Sequence, residues 1–144
     1  MIKTRGMTHI ALPVKDPERS ARFYSSLFNM EVLSCSADTA FLKTVGSGDL
    51  IAFGRSDARV GSSRDTMHFG FVIDPEQFDA AVRTIEERSI KKVSEPGKRN
   101  IGRYIFIEDP DGYAVEIFEN LESAWSRSAQ VGLEPGENGP DASS

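Results

Sequence analysis

The sequence predicts an α+β fold built from two βαβββ modules, and two observations carry that prediction: an internal repeat, and the same change of hydrophobic period inside each copy. Residues 9–18 read His9-Ile10-Ala11-Leu12-Pro13-Val14-Lys15-Asp16-Pro17-Glu18, and residues 68–76 read His68-Phe69-Gly70-Phe71-Val72-Ile73-Asp74-Pro75-Glu76. With one residue skipped at Lys15, the copies share a His, a small residue two places on, a large apolar residue, and Asp-Pro-Glu.

Each element follows in order. The first strand of each copy alternates, so Ile10, Leu12 and Val14 share one face while His9, Ala11 and Pro13 share the other. In the second copy Phe69, Phe71 and Ile73 oppose His68, Gly70 and Val72. Asp16 and Asp74 then read as N-caps, with Pro17 and Pro75 at the first helical position, where a missing N–H costs nothing. The helices that follow carry Ala21, Phe23, Tyr24, Leu27 and Phe28, then Phe78, Ala81, Val82 and Ile85, at roughly 3.6-residue spacing. Three β-type runs complete each half: Met30 to Ser34, Ala40 to Val45 and Leu50 to Phe53, then Lys91 to Val93, Tyr104 to Ile107 and Tyr113 to Phe118. Gly46-Ser47-Gly48 and Asp109-Pro110-Asp111-Gly112 have turn chemistry.

The polar stretch Arg55–Thr66 reads as a surface connection between halves. A single domain over residues 1–120 is therefore expected, with modules at about 7–55 and 66–119. Residues 121–144 form a C-terminal extension, in which Leu121 to Trp125 start a short helix and a Gly-, Pro- and Ser-rich tail follows.

Composition narrows the function classes. The chain has 144 residues, 39% hydrophobic and 27% charged, and 17 Lys+Arg against 22 Asp+Glu leave a net charge of −5. That balance, without a basic cluster, argues against a nucleic-acid or anionic-membrane partner. One cysteine, Cys35, rules out an intrachain disulfide and any multi-thiolate metal site. With no apolar leader or spanning segment, a cytoplasmic location is expected.

Only two histidines occur, and both head the repeat. Glu116 stands in Tyr113-Ala114-Val115-Glu116-Ile117-Phe118, a carboxylate among apolar neighbours that needs a partner. Alternation puts it on the face opposite Val115 and Ile117, just as both histidines oppose the large aliphatics. A lone histidine at a strand start is more often a structural hydrogen-bonding group. Two at repeat-equivalent positions, with a strand-central glutamate, favour metal binding instead. Two imidazoles and one carboxylate hold a borderline divalent ion and leave coordination positions open. The repeat matches Glu116 with Ala52, so the fourth symmetry-related position carries a methyl group.

The motifs Thr8-His9-Ile10-Ala11-Leu12-Pro13-Val14, Asp16-Pro17, Ala21-Arg22-Phe23-Tyr24-Ser25-Ser26-Leu27-Phe28 and Asp109-Pro110-Asp111-Gly112-Tyr113-Ala114-Val115-Glu116 together resemble the vicinal oxygen chelate superfamily. This is the glyoxalase, bleomycin-resistance and extradiol-dioxygenase group, and the resemblance spans about residues 7–119. It implies a cupped mixed sheet completed by homodimerisation, with His9, His68 and Glu116 as ligands of one divalent ion (Fe, Mn, Zn or Ni). It also implies a small-molecule substrate with adjacent oxygens and dioxygenase-like or glyoxalase/lyase-like chemistry. Glyoxalase I enzymes generally take a fourth ligand from the position of Ala52, and extradiol dioxygenases place a tyrosine at the position of Phe106. A thiol transferase of the fosfomycin-resistance type is one alternative, although Ala11 and Phe106 replace two hydroxyl-bearing residues of that group. A non-catalytic bleomycin-resistance-like binding protein is the other, and such proteins typically lack the triad.

Around the triad, Phe41, Phe106 and Phe118 are candidate pocket walls or core residues, with Ala52 beside them. Lys43 either pairs an anionic substrate group or is solvated, and Arg103 and Arg55 are similarly open. No remaining side chain stands out as a general base.

Overall fold

In a computed structural model the described residues are 1–4, 7–58, 60–100 and 102–119; the expected extension at 121–144 lies outside them. The first half runs β1 (Ile10–Val14), α1 (Pro17–Phe28), β2 (Met30–Cys35), β3 (Thr39–Thr44) and β4 (Ile51–Arg55). The second runs β5 (Phe69–Ile73), a 3-10 turn (Pro75–Gln77), α2 (Phe78–Glu87), β6 (Gly97–Arg99), β7 (Gly102–Glu108) and β8 (Ala114–Glu119). Each half folds into a four-stranded mixed sheet, ordered β1-β4-β3-β2 and β5-β8-β7-β6. The one parallel pair in each sheet joins its first and last strands. This is the α+β arrangement of two βαβββ modules that the repeat predicts.

The two copies start their helices differently. Asp16 caps α1 by accepting from the Arg19 N–H at 3.0 Å, with Pro17 at the first position. Asp74 makes no such side-chain bond. Its carbonyl instead accepts from Gln77 N–H at 2.9 Å, which tightens the entry into a 3-10 turn before α2 begins at Phe78. The expected strand at Lys91 to Val93 is reduced to one bridge, Lys92 with Ile107. There Val93 and Ser94 both donate to the Phe106 carbonyl, so the ladder ends. The outer strand is Gly97–Arg99, which has no β-branched or aromatic residue to announce it.

One hydrophobic core spans both halves. Leu12, Val14, Leu42 and Phe53 of the first sheet join Ile105, Ile107, Val115 and Ile117 of the second, together with Tyr24, Phe78 and Ile85 from the helices. Burying each large side chain fully contributes about 1.5–3 kcal/mol. Tyr24 joins the two halves of this core: its ring lies 5.2 Å from Phe53, 6.2 Å from Phe69 and 6.3 Å from Phe71. Phe28 stacks on Phe71 at 4.0 Å.

A polar clamp completes the join. The Tyr24 hydroxyl donates to Asp109 Oδ2 at 2.7 Å, and Asp109 Oδ1 accepts from the Asp111 and Tyr113 N–H groups. The β7–β8 turn closes through Gly112 N–H to the Asp109 carbonyl at 3.1 Å. Asp111 in turn accepts from Lys15 N–H, the Arg19 guanidinium and the Ser20 hydroxyl. Burial pushes the Asp109 carboxyl and the Tyr24 phenol above their ordinary pKa values. Across the same junction, the Tyr113 hydroxyl donates to the Pro13 carbonyl at 2.8 Å. The turn before the Glu116 strand is thereby tied to the helix of the other module.

Candidate metal centre

The register of the two parallel pairs fixes the site. Ala11 lies opposite Ala52 in the first sheet, and Gly70 lies opposite Glu116 in the second. Ala52 therefore occupies the place in its module that Glu116 occupies in the other, and each histidine immediately precedes its strand. Because β-strand side chains alternate, Gly70, Val72, Glu116 and Phe118 share the face turned away from the helices. Phe106 and Tyr104 join them, since β7 pairs Phe106 with Glu116 and Tyr104 with Phe118.

On that face five side chains make a closed circuit. His68 Nε2 is 3.8 Å from Glu116 Oε2, while Arg99 Nη1 donates to Glu116 Oε1 at 2.7 Å. The Arg99 guanidinium lies 4.1 Å over the Tyr104 ring. Tyr104 meets Phe106 edge to face at 5.9 Å, and Phe106 meets the His68 ring edge to face at 5.0 Å. The Glu116 side chain is only 14% exposed and that of His68 30%. The carboxylate is therefore largely withdrawn from water and paired, as its apolar setting requires.

His9 is not part of this circuit. Among the described residues no three His, Cys, Asp or Glu side chains are grouped to hold one ion. His9 Nδ1 lies 2.8 Å from the Thr8 hydroxyl, and His9 and His68 both line a cavity of about 380 Å³ between the starts of β1 and β5. The structure thus brings His68 and Glu116 together and leaves His9 outside bonding range of the pair within one chain.

The remaining predicted residues divide by face. Ala52 and Phe41 line an open hollow of about 350 Å³ on the first sheet, with Ala11 and Thr39; Phe41 is 37% exposed there. Phe106 is fully buried, with His68 against it and the Arg64 guanidinium 5.8 Å above its ring. It is a floor under the pair. Phe118 is half-buried on the Glu116 face. Lys43 sits 3.4 Å from Glu31 across the β2–β3 pair.

Arg103 points the other way: it bonds Glu119 and Asp79, donates to the Pro75 carbonyl, and covers the Phe78 ring at 4.6 Å. Its guanidinium holds the Glu119 carboxyl below the usual carboxylate range. A larger cavity of about 610 Å³, lined by Lys15, Arg19, Glu108 and Asp111, lies at the far end of β1.

Sequence reasoning leaves Arg99 and Arg64 without a role and reads Tyr104 as structural or exposed. Alternation from Phe106 already places Tyr104 on the Glu116 face. Arg99 had no such signal, because its strand was not recognisable.

The pair is chemically suited to a divalent ion. Neutral imidazole and carboxylate are the donors that borderline ions take, and two donors on one ion at about 2.1 Å each stand roughly 3–3.5 Å apart. The observed 3.8 Å needs only a small closure.

Known proteins share this architecture. The sequence model of the Glyoxalase/Bleomycin resistance protein/Dioxygenase superfamily matches residues 6–117. Fosfomycin resistance protein FosX from Listeria monocytogenes is 28% identical over 116 residues, covering 78% of this chain and 87% of FosX. A crystal structure of that protein superposes with a TM-score of 0.71 at 26% identity, over 85% of this chain and 98% of FosX. A point mutant of the same protein, complexed with Mn(II) and 1S,2S-dihydroxypropylphosphonic acid, has the same fold at a TM-score of 0.72 and 24% identity, over 87% of this chain and 100% of that one. A glyoxalase/dioxygenase from Nostoc punctiforme matches at a TM-score of 0.68 and 27% identity, over 81% of this chain and 91% of that one.

Proposed function

Because this chain belongs to the Glyoxalase/Bleomycin resistance protein/Dioxygenase superfamily, we propose that it is a divalent-metal-dependent enzyme acting on a small molecule with adjacent oxygens. The observation that carries the reading is the approach of His68 Nε2 to Glu116 Oε2 on the face away from the helices. The ion is held by His68, Glu116 and His9 of the partner subunit in a homodimer. Two features support sharing: His9 stands outside the pair in its own chain, and the Phe41, Ala11 and Ala52 surface is an open apolar half-wall that a second copy would cover.

When bound, the ion supplies Lewis-acid stabilisation of negative charge developing on a substrate oxygen. The chain's own residues do the rest. Ala52 leaves the fourth position without a protein donor. Phe106 and Phe118 line the same face with hydrocarbon, which excludes water and strengthens every charge interaction there. Arg99 holds the Glu116 side chain in place by a direct hydrogen bond.

The FosX relative makes fosfomycin, a phosphonate epoxide, the first substrate to test, opened by water or, alternatively, by a thiol. The diol bound in the FosX mutant is the product expected of water addition. Dioxygenase-like and glyoxalase-like activities rank behind this. Ala52 lacks the fourth ligand of glyoxalase I enzymes, and Phe106 departs from the extradiol dioxygenases and the fosfomycin-resistance group alike, so the order rests on the similarity to FosX. A second reading, sequestration of a ligand without turnover, is favoured by the Arg99–Glu116 bond, which already satisfies the carboxylate. Metal analysis of wild type and His68→Ala, followed by fosfomycin consumption in the presence of Mn(II), tests the proposal. Bound metal lost in His68→Ala is expected; equal, negligible metal in both removes it. Loss of fosfomycin with formation of the diol supports epoxide opening, and ligand binding unchanged by chelator with no turnover supports sequestration.

A further inference from the structure

We infer that Arg99 is a positioning residue that sets how Glu116 meets the ion: it holds Oε1 and leaves Oε2 alone to face His68, so that the carboxylate binds through one oxygen. This rests on the metal-site reading above and names a residue outside the repeat-derived ligand set. The two oxygens of Glu116 have separate partners. Oε1 accepts from Arg99 Nη1 at 2.7 Å, within the range of a strong charge-assisted bond, and Oε2 is the oxygen nearest His68 at 3.8 Å.

The guanidinium is held in place from below. It lies 4.1 Å over the Tyr104 ring, a cation–π distance. Tyr104 is itself pinned between Phe106, at 5.9 Å, and Gly97, its partner across the β6–β7 pair. A Cβ at Gly97 would come within 2.5 Å of the Tyr104 ring, so glycine is required for the ring to lie there. Gly97, Tyr104 and Arg99 thus form a support whose tip is the Glu116 carboxylate. A ligand carboxylate with one oxygen tied to a fixed donor gives up one rotameric freedom before the ion arrives, and outer partners of this kind typically change metal affinity by 10–100-fold when removed.

A different role would have the opposite sign. If Arg99 were only a counter-ion filling the place of an absent cation, its positive charge would oppose metal binding, and removing it would tighten the site.

Mn(II) and Co(II) titrations of the full-length protein, without substrate, separate the two for wild type, Arg99→Ala, Arg99→Gln and the neighbouring control Lys98→Ala. Arg99→Ala is expected to bind Mn(II) at least about tenfold more weakly, with Arg99→Gln, which keeps a donor, recovering part of the loss and Lys98→Ala matching wild type. The Co(II) visible spectrum of Arg99→Ala is expected to weaken as the freed carboxylate contributes both oxygens and coordination rises. Thermal melts of the metal-free proteins show whether Arg99→Ala is folded; if it is not, Arg99→Gln carries the comparison. Unchanged or tighter binding in Arg99→Ala or, where that variant is unfolded, in Arg99→Gln, beside a wild type that does bind, overturns this inference and spares the metal reading. A wild type that takes up neither ion overturns both.

Discussion

Gly70 lies directly across the parallel β5–β8 pair from Glu116, and a Cβ built on it would stand 3.0 Å from the Glu116 carbonyl oxygen and 3.1 Å from its Cβ. That approach is tighter than ordinary packing, so the strand carrying the candidate ligand must shift to admit even a methyl group. Gly70→Ala is therefore expected to cost about 1–3 kcal/mol and to weaken divalent-metal uptake. Chemical denaturation and Mn(II) titration check the two effects; full stability with unaltered uptake would contradict the register-based account of the site.

The Tyr24–Asp109 bond joins the modules from within the core. Tyr24→Phe removes the donor and leaves a buried acceptor, at a cost of about 1–3 kcal/mol. Asp109→Asn keeps an oxygen for the Asp111 and Tyr113 N–H groups and should cost less than Asp109→Ala. Burial raises the Asp109 pKa, so its folded state favours the protonated form. That contribution is complete below the unfolded value of about 3.9 and is lost as pH rises through the higher folded value. Relative to wild type, Asp109→Asn should gain stability as pH rises through this window, as urea midpoints at stepped pH would show.

Glu119 behaves with the opposite sign. Hydrogen bonding from Arg103 lowers its pKa, so its contribution is present above the unfolded value of about 4.3 and is lost as pH falls through the folded one. Glu119→Gln should be less stable near neutrality and show a flatter acid limb, measured by thermal melts from neutrality to acid. An unchanged acid limb would remove Arg103–Glu119 from the acid response.

Most of the architecture was legible because one short sequence occurs twice. The alternation of Ile10, Leu12 and Val14 against His9 and Ala11 fixed a buried face, and the Asp16-Pro17 cap fixed the start of α1. The Ala52–Glu116 equivalence was likewise readable by superposing the copies, and the strand registers reproduce it. Two kinds of information were not available that way. The strand Gly97–Arg99 is made by pairing with β7 rather than by its own propensity, so nothing in the local sequence marks Arg99. Alternation from Phe106 turns Arg103 to the opposite face, toward Phe78 and away from the pocket in which its charge alone would place it. The separation of His9 from the other two candidate ligands depends on how modules meet, and local pattern does not encode that.

Metal reconstitution in mixed dimers tests the central claim most directly. His9→Ala and Glu116→Ala, each purified alone, are expected to bind no Mn(II) at micromolar concentration. If the site is shared between subunits, unfolding and refolding the two together regenerates one intact site in each heterodimer, about a quarter of the wild-type capacity for random pairing. Mn(II) uptake that stays at zero in the refolded mixture, or that is already present in either variant by itself, would contradict the account.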